Sequence, residues 1–514
     1  MITYVKIHKS GKAKVLTSCL AIATTLTHTI LSKYIPPPLD SAPHMISFAK
    51  LSPTMSMDPP FFRRLLCIAL VIVCVSDLKG SEPSKPNILL VVADDLGWGD
   101  VGWHQGFAKT PNLDRLVREG VELDHHYVQP VCTPTRTALM SGRYPGRFGP
   151  QALAPSNLRA MPLGTVTLAS FLKSKGYRTH LSGKWHLGAR PEWSPNQYGF
   201  DTSYGTLTGA ADPWTHKYRA VNPYEDTWHR DVKFFQEEGN ATELIAAEAV
   251  RRIEESDGPW FVYVPFHAVH TPVDAPQKYK DLYAEVKFSP DPIKNESRQR
   301  LAAMVSQVDD KVAEMIRAID KKGELNNTLV IFTSDNGGIE SLKNAYVGTV
   351  PDSPFNSEND PLRGQKNTLY DGGTRVCAFA YWAGTLKPHR SQSPMHCVDW
   401  LPTIAELLGD AEHPELQWDG VSRWKTLLSG EFEERSRPIY ISKGATQSLH
   451  FNGWKIISRD NGKVELFHLG EDPYEKQDLA MQRPEKIQEL KLLLAKEKKL
   501  DLKQMPADLI GLPH

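Results

Sequence analysis

The chain has 514 residues, of which 40% are hydrophobic and 23% are charged, a composition typical of a globular protein with room for two or three domains. Lysine and arginine together number 60, as do aspartate and glutamate, so the formal net charge is zero. This balance excludes the overall basic field that nucleic-acid-binding proteins carry. We therefore expect no nucleic-acid partner, while the oligomeric state is left open.

The first 80 residues carry an export pattern. Arg63-Arg64 precede the apolar run "LLCIALVIVCV" (65–75), and polar residues follow it. This order is typical of a signal peptide, which we place at 57–80, and the run is short for a transmembrane helix. A membrane anchor or a lipid-modified Cys74 is the alternative. Residues 1–56 are predicted to be a wrongly assigned or disordered extension, and the protein is expected in the periplasm or the extracellular space.

Beyond residue 80, strands and helices are predicted to alternate. "PNILLVVADD" (86–95) is a continuous apolar run that ends at Asp94-Asp95. Helices are predicted over 110–120 and 133–142, where Thr-Pro opens each segment, with Thr133 as the N-cap of the second, and glycine closes it. The remaining predicted elements are a helix over 165–176, a strand over 177–188, a helix over 241–256, a strand over 260–272, a helix over 297–323 and a strand over 327–338.

Repeated strand–helix units with continuous apolar strands predict an α/β fold, in which a large, mainly parallel sheet is sandwiched by helices. The pattern changes near the carboxyl terminus. The short runs "RPIYI", "QSLHF", "GWKIISR" and "VELFHL" are separated by turn residues and predict a small antiparallel sheet. "PEKIQELKLLLAKEKK" predicts a terminal helix. We therefore divide the chain into a main domain over 81–430 and an α+β subdomain over 431–514.

Oxygen-bearing side chains end two of the predicted strands. Asp94 and Asp95 follow the first strand, and Asp335 and Asn336 follow the last. In parallel sheets, ligands lie beyond the carboxyl ends of the strands. A set of carboxylate and amide oxygens suits Ca²⁺ or Mg²⁺ better than zinc. A capped turn is the alternative interpretation of each pair.

Basic side chains and histidines occupy comparable positions. Arg136, Lys184 and Lys366, if gathered at one pocket, would bind a tetrahedral oxyanion; as single residues they would be solvated surface charges. His186 and His270 follow two other predicted strands and are candidates for proton transfer to a leaving alkoxide. A structural, hydrogen-bonded histidine is the alternative for each.

The cysteines raise a separate question. Cys377 and Cys397 could form a disulfide or remain buried free thiols, which leaves Cys132 as the odd thiol. Cys132 lies at the start of a predicted helix, where the helix dipole favours negative charge. Hard Ca²⁺ prefers oxygen to sulfur, so a thiolate beside oxygen ligands is a mismatch. We infer that the thiol itself is not the working group.

A series of motifs extends from residue 86 to residue 425. "CTPTR" (132–136) is followed by Leu139 and by Ser141-Gly142-Arg143, and "GKWHLG" (183–188) comes next. "ADDLGWGDVGWH", "TPNLDRL", "VHTP", "SDNGG", "LRGQK", "DGGTR" and "DWLPT" also occur. In content and order these motifs resemble the type I, formylglycine-dependent sulfatases of the alkaline phosphatase superfamily, in particular the arylsulfatase B (N-acetylgalactosamine-4-sulfatase) branch. The resemblance implies an alkaline-phosphatase-like fold and makes 81–430 the sulfatase catalytic domain.

The resemblance also implies an answer for Cys132. In this family the motif cysteine is oxidised by a formylglycine-generating enzyme to Cα-formylglycine. Its hydrate supplies an oxygen nucleophile that attacks sulfur and displaces the alcohol, and loss of sulfate then regenerates the aldehyde. Carried over by motif, the Ca²⁺ ligands are Asp94, Asp95, Asp335, Asn336 and the modified Cys132.

The same resemblance implies roles for the basic residues. Arg136 would stabilise the formylglycine hydrate. Lys184, His186, His270 and Lys366 would hold the sulfate group, with His270 and Lys366 placed to protonate the leaving oxygen. His267, three residues before His270, matches no family position and is not carried over.

A sulfated carbohydrate is the expected substrate, with aryl sulfates as simpler substrates of the same class. Trp103, His104, Trp214 and His216 are candidate sugar contacts, with core packing as the alternative. A phosphonate monoester or phosphodiester hydrolase of the same superfamily is the second hypothesis. An inactive glycan-binding protein is a third, and the presence of Cys132, the metal carboxylates and Lys366 argues against it.

Overall fold

The computed structural model describes residues 85–218, 224–340 and 356–513. The predicted extension over 1–56 and the predicted signal peptide over 57–80 lie outside the described residues. Within these three ranges, no helix combines the length and the apolar composition needed to cross a membrane.

The described residues alternate between strands and helices. In chain order the strands are β1 (Asn87–Ala93), β2 (Val121–Leu123), β3 (His126–Tyr127), β4 (Arg178–Lys184), β5 (Thr202–Thr206), β6 (Trp228–Arg230), β7 (Lys233–Phe234), β8 (Trp260–Pro265), β9 (Thr328–Ser334), β10 (Ala378–Tyr381), β11 (His389–Ser391), β12 (Met395–His396), β13 (Ile439–Lys443), β14 (Thr446–Phe451), β15 (Trp454–Ser458) and β16 (Val464–His468). The α-helices are α1 (Pro111–Glu119), α2 (Cys132–Ser141), α3 (Leu168–Ser174), α4 (Ala241–Glu255), α5 (Gln277–Lys280), α6 (Pro292–Lys321), α7 (Asp371–Thr374), α8 (Trp400–Leu407), α9 (Trp424–Ser429) and α10 (Pro484–Lys499).

Ten strands form one mixed sheet in the order β11-β2-β10-β9-β1-β8-β4-β5-β6-β7. Its five central strands, from β9 to β5, are parallel, and antiparallel pairs occur toward both margins. The predicted α/β fold with a large, mainly parallel sheet is confirmed. Because the central strands are parallel, their carboxyl ends meet at one edge of the sheet.

Strand β1 shows why an uninterrupted apolar run marks a central strand. All seven of its residues are buried. Ile88, Leu90 and Val92 belong to one hydrophobic cluster, whereas Leu89 and Val91 belong to the cluster on the opposite face. A strand covered on both faces needs an apolar residue at nearly every position, and the sequence over 86–95 has this pattern.

Helices cover the sheet on both faces. Ile245 of α4 and Val308 of α6 share the cluster of Leu89 and Val91. Leu139 of α2 and Ile404 of α8 share the cluster on the other face. Helix α2, which begins with Cys132, is therefore held against the sheet by its apolar side chains, and its first turn is fixed relative to the strand ends.

The last four strands form an antiparallel sheet in the order β13-β14-β15-β16, which confirms the predicted small sheet and its terminal helix. Leu449, Ile456 and Leu466 on one face pack with Leu490 and Leu494 of α10. These residues belong to the same hydrophobic cluster as β1. The boundary near residue 430 remains a prediction.

The other face of the small sheet packs against segments near the main sheet. Ile441, Ile457 and Phe467 pack with Tyr127 and Leu369. Tyr127 ends β3, a few residues before α2, and Leu369 lies shortly after Lys366. The small sheet therefore contacts two segments that lead directly to predicted site residues.

The start of α2 differs from the prediction. Its N-cap is Val131, which makes no side-chain cap, and Cys132 and Thr133 are already helical. The Thr133 hydroxyl instead accepts a hydrogen bond from the Ser156 backbone N–H at 3.3 Å. Pro134 falls inside the first helical turn, where its missing N–H removes no helical hydrogen bond. A Thr-Pro pair therefore marks this helix start without marking its cap.

The structure distinguishes between the two interpretations of Cys377 and Cys397, a disulfide or two free thiols. Cys132, Cys377 and Cys397 are buried free thiols. The Sγ atom of Cys377 lies 3.2 Å from the Gly97 carbonyl oxygen, and that of Cys397 lies 3.9 Å from the Thr135 carbonyl oxygen. The structure therefore favours two free thiols over a disulfide.

Gly183 provides a test of the close packing between β4 and β8. Its φ is +140°, and a Cβ atom there would stand 2.0 Å from the Pro265 carbonyl oxygen, whereas Gly176 has φ +85° and open space. We expect Gly183→Ala to lower the free energy of unfolding by at least about 2 kcal/mol more than Gly176→Ala. Chemical denaturation of both variants measures this difference, and equal losses would contradict the predicted clash.

Candidate active site

The predicted site residues lie at the carboxyl edge of the main sheet. β1 leads into Asp94-Asp95 and β9 leads into Asp335-Asn336. Lys184 ends β4, His186 follows it by two residues, and His270 follows β8. All of these side chains are buried. Four neighbouring parallel strands therefore deliver acidic, basic and imidazole groups to one place, as the topology requires.

Two further segments complete the cluster. Cys132 is the first residue of α2, and Lys366 lies between β9 and α7. Burial raises the pKa of the Cys132 thiol, and the charges of Lys184 and Lys366 oppose this shift. A thiol with a raised pKa is a poor nucleophile. The structure thus brings all ten predicted residues together, while their roles remain predictions.

Arg136 is held one helical turn after Cys132. Its Nε and Nη2 atoms donate to Asp335 Oδ2 at 3.1 and 2.8 Å, and its Nη1 donates to the Lys184 carbonyl oxygen at 3.0 Å. The other carboxylate oxygen, Asp335 Oδ1, accepts from the Asp95 backbone N–H at 3.3 Å. A fully buried guanidinium is thereby joined to the ends of three strands, and its position is rigid.

Two lysines form close ion pairs with the paired aspartates. Lys184 Nζ lies 2.5 Å from Asp94 Oδ2. Lys366 Nζ lies 2.5 and 2.8 Å from the two oxygens of Asp95. Burial raises the pKa of Asp95, but its interactions with Lys366 and with the nearby His270 ring outweigh burial and hold this pKa below its usual value. Asp95 is therefore ionised at neutral pH.

The acidic and basic side chains of the site are equal in number. Such pairing matters because an unpaired charge is costly at a buried position. A divalent cation added to this set would leave two positive charges in excess, which an anionic substrate would offset. The balanced set is Asp94, Asp95 and Asp335 against Arg136, Lys184 and Lys366.

The donor atoms fit a divalent cation. Asp94 Oδ1 and Asn336 Oδ1 are buried and have no hydrogen-bond partner. One ligand atom each from Asp94, Asp95 and His270 lie within 4.8 Å of one another. Buried oxygens without partners are unfavourable, and a hard cation is the ligand that satisfies carboxylate and amide oxygens together. Asp94, Asp95, Asp335 and Asn336 could therefore hold Ca²⁺.

Burial favours the neutral form of both histidines of the site. Burial lowers the pKa of His186 and of His270, although Asp95 opposes the shift for His270. His270 Nδ1 lies 2.7 Å from the Thr271 carbonyl oxygen and therefore carries the hydrogen. Its Nε2 faces Asp95 Oδ2 at 3.7 Å. His270 thus presents its unprotonated nitrogen toward the carboxylates.

Two contacts at this edge were not found by sequence reasoning. Thr206, the last residue of β5, lies beside Lys184 in register, and its Oγ1 is 2.5 Å from His267 Nε2. A Cβ atom at Gly209 would stand 2.2 Å from His186 Nε2. These contacts were hard to predict from the sequence because "TSYGT" (202–206) is too polar to predict a strand, although β5 is a parallel neighbour of β4.

The four candidate sugar contacts separate into two groups. Trp214 is 41% exposed, and its Nε1 donates to Asp274 Oδ2 at 2.8 Å. The other three pack against neighbouring rings, His104 on Trp98, His216 on Trp228 and Trp103 against Phe332. Core packing therefore accounts for these three, and Trp214 remains a candidate contact.

Comparisons with known proteins agree in family. A model of the family described as "Sulfatase" matches residues 86–410. Arylsulfatase J of Mus musculus is 30% identical over 468 residues, covering 79% of this chain and 75% of that protein. N-acetylgalactosamine-6-sulfatase of Homo sapiens is 30% identical, covering 77% of this chain and 81% of that protein. The crystal structure of Ps i-CgsB in complex with k-i-k-neocarrahexaose has a TM-score of 0.73 at 29% identity, covering 82% of this chain and 94% of that chain.

We predict that loss of the Arg136–Asp335 ion pair destabilises the protein whether or not the protein is catalytically active. With divalent ions chelated, we expect Asp335→Asn to lower the free energy of unfolding by about 3 kcal/mol, because Arg136 stays buried without its counter-charge. Glu119→Gln is the control, because the Arg115–Glu119 pair is 40% and 48% exposed; it should cost no more than about 0.5 kcal/mol. Denaturant unfolding compares the two, and similar losses would contradict the prediction.

Proposed function

Because the chain belongs to the sulfatase family, a family of sulfuric ester hydrolases, we propose that it hydrolyses sulfate esters of a carbohydrate at the site described above. The observation that carries the proposal is the buried, charge-balanced set of three carboxylates and three cations beside Cys132. With a divalent cation bound, this set has a positive excess. A sulfate ester is an anion that offsets the excess, and the charge that builds on its oxygens in the transition state is stabilised in place.

We infer that Cys132 is matured to Cα-formylglycine by a formylglycine-generating enzyme. As its hydrate, formylglycine supplies an oxygen nucleophile, which suits a Ca²⁺ site better than sulfur. The position of Cys132 at the start of α2 favours negative charge on this residue. Arg136, fixed by Asp335 and by the Lys184 carbonyl, would hold the hydrate in one orientation.

We propose Ca²⁺ as the bound ion. Bound there, it would act as a Lewis acid toward the sulfate oxygens and the nucleophile. The free oxygens of Asp94 and Asn336 support this assignment, because they need a partner that accepts electron pairs. The proposed ligands are the ones that the sequence motifs imply, namely Asp94, Asp95, Asp335, Asn336 and the matured Cys132.

Lys184, His186, His270 and Lys366 are proposed to bind the sulfate group. Burial lowers the pKa of Lys366, but Asp95 raises it by more, so that the ammonium keeps its proton at neutral pH. Burial favours the neutral form of His270. We propose Lys366, which carries a proton, as the donor to the leaving oxygen, with His270 placed to orient the ester.

We propose a sulfated polysaccharide as the substrate. Support comes from the family and from the structural relative that was solved with k-i-k-neocarrahexaose. Specificity like that of the N-acetylgalactosamine-4-sulfatases rests on the order of the sequence motifs alone. Export directed by 57–80, with 81–430 as the catalytic domain and 431–514 as a subdomain, belongs to the same proposal.

The test of the reaction type is a pair of substrates with one leaving group. We expect 4-nitrophenyl sulfate to be hydrolysed at least about 100-fold faster than 4-nitrophenyl phosphate, because the chain belongs to a family of sulfuric ester hydrolases and the two esters are discriminated in the transition state. Initial rates of both reactions measure this ratio. Faster phosphate turnover would favour the phosphohydrolase hypothesis, and absence of both activities in matured protein would favour the glycan-binding one.

Maturation must be checked on the same protein sample. The tryptic peptide "EGVELDHHYVQPVCTPTR" (119–136) should carry a formylglycine mass at Cys132 when the protein is active. Cys132→Ala should abolish turnover and leave the fold intact. An unmodified thiol in protein that hydrolyses sulfate esters would contradict the proposed nucleophile.

Ca²⁺ removal should destabilise the protein. We expect a chelator to lower Tm and added Ca²⁺ to restore it, because the oxygens of Asp94 and Asn336 regain a partner.

Asn336→Ala should weaken Ca²⁺ binding by at least about tenfold, the effect of losing one charge-assisted contact. Asn196→Ala, which removes a half-buried amide bonded to Ser203 and Asp231, is the control and should leave Ca²⁺ binding unchanged. Thermal-shift titrations measure both the change in Tm and the strength of Ca²⁺ binding. A Tm that the chelator does not change would contradict the proposed site.

A further inference from the structure

The segment that carries Lys366 has little regular structure of its own. Between Asn356 and α7 it is held by contacts with other parts of the chain. The Lys366 backbone N–H donates to the Gly338 carbonyl oxygen at 3.0 Å, and the Asn367 N–H donates to the Pro130 carbonyl oxygen at 2.8 Å. These bonds fix the backbone on the side of the strand ends. A second attachment lies on the opposite side, where the small sheet begins.

That second attachment is a buried cluster of three charges. Lys455 of β15 places its Nζ 2.7 Å from Asp371 Oδ1 and 2.7 Å from Glu475 Oε1. The Asp371 backbone N–H donates to Glu475 Oε2 at 2.7 Å. The Lys455 side chain is 0% exposed, and those of Asp371 and Glu475 are 1% and 0% exposed. Because all three groups are buried, the charge of each is stabilised by the other two rather than by solvent.

The cluster closes the loop around Lys366. Arg363 donates from Nη1 to the Glu475 carbonyl oxygen at 2.7 Å, and its own carbonyl accepts from the Gly372 N–H at 2.7 Å. Asp371 begins α7, five residues after Lys366. Residues 363–372 therefore form a closed loop whose base is tied to Lys455 and Glu475 and whose tip carries the ammonium that meets Asp95.

The buried charge cluster is not needed to hold the small sheet against the segment that carries Lys366. A buried ion pair usually contributes no more stability than apolar residues of similar size, and the same face of the small sheet already packs through Ile441, Ile457 and Phe467. Burial raises the pKa of Glu475 to about 7 against the charge of Lys455, which marks the cost of keeping this carboxylate inside. What ion pairs add is a defined geometry between two backbones.

We propose that Lys455 and Glu475, acting through Asp371, are positioning residues that hold Lys366 in place for the reaction. The inference rests on the proposed function, in which Lys366 binds the sulfate and protonates the leaving oxygen. In this inference none of the three residues contacts the substrate. Its effect is on how precisely the Lys366 ammonium is placed, and small displacements of such a group lower the rate strongly.

The test is the dependence of rate on the leaving group. The double variant Lys455→Met/Glu475→Gln replaces two members of the cluster by uncharged side chains of similar size. We expect the ratio of kcat/KM for 4-nitrophenyl sulfate over phenyl sulfate to rise about tenfold, because the poorer leaving group depends more on proton donation. The ratio is independent of the fraction of folded or matured enzyme, so general destabilisation does not change it.

Two comparisons separate positioning from stability. Asp501→Asn is the matched control, because Asp501 also joins the carboxyl-terminal part to the main domain, by accepting from Arg147 and Tyr440. It should lower Tm and leave the ratio unchanged. In a Lys366→Met background, the Lys455 and Glu475 changes should produce no further rise in the ratio, because the residue through which they act is absent.

An unchanged ratio in an active double variant would overturn the inference, as would a full further rise in the Lys366→Met background. If the double variant does not fold, Glu475→Gln alone is measured, since glutamine keeps an acceptor for the Asp371 N–H, and the same rise is expected at smaller size. Failure of the proposed function is distinguishable, because the wild-type enzyme would then hydrolyse neither aryl sulfate.

Discussion

Neutralising three buried carboxylates that lie close together is the constraint on which this structure depends. Asp94, Asp95 and Asp335 are buried at one edge of the main sheet, where a single unpaired charge would cost several kcal/mol. Their counter-charges come from α2, from β4 and from the segment before α7. The charge balance therefore forms only when parts of the chain up to 271 residues apart fold together.

The same constraint shapes the chemistry available to the site. Because its own charges cancel, a divalent cation and an anionic ester offset each other there, and the binding of one favours the binding of the other. Arg136 and the two lysines are held by hydrogen bonds before any substrate arrives. Such groups need no reorganisation when charge develops on the reacting oxygens, which is the condition for effective electrostatic stabilisation.

The small carboxyl-terminal sheet extends this principle beyond the site. One of its faces packs on α10 and the other on Tyr127 and Leu369. Between the second face and the main domain lie Lys455, Asp371 and Glu475, a second buried set of charges. One set neutralises the carboxylates of the active site, and the other ties the base of the Lys366 loop. The small sheet thus contacts the segment that carries Lys366 through side chains that are remote from it in sequence.

The sequence by itself determined four of the five central strands of the main sheet, β1, β4, β8 and β9, and a strand buried on both faces leaves a continuous apolar run, as in β1. It also predicted where the site lies, because parallel strands place the polar residues that follow them at one edge, and the motif around Cys132 indicated the proposed chemistry. Only the tertiary structure decided which charges pair. Lys455 and Glu475 look like ordinary surface residues in a polar carboxyl-terminal stretch, and Thr206 ends a strand too polar to be predicted. Their roles follow from proximity across 84 and 61 residues of chain, and burial and pairing at such separations are properties of the folded chain rather than of any local pattern.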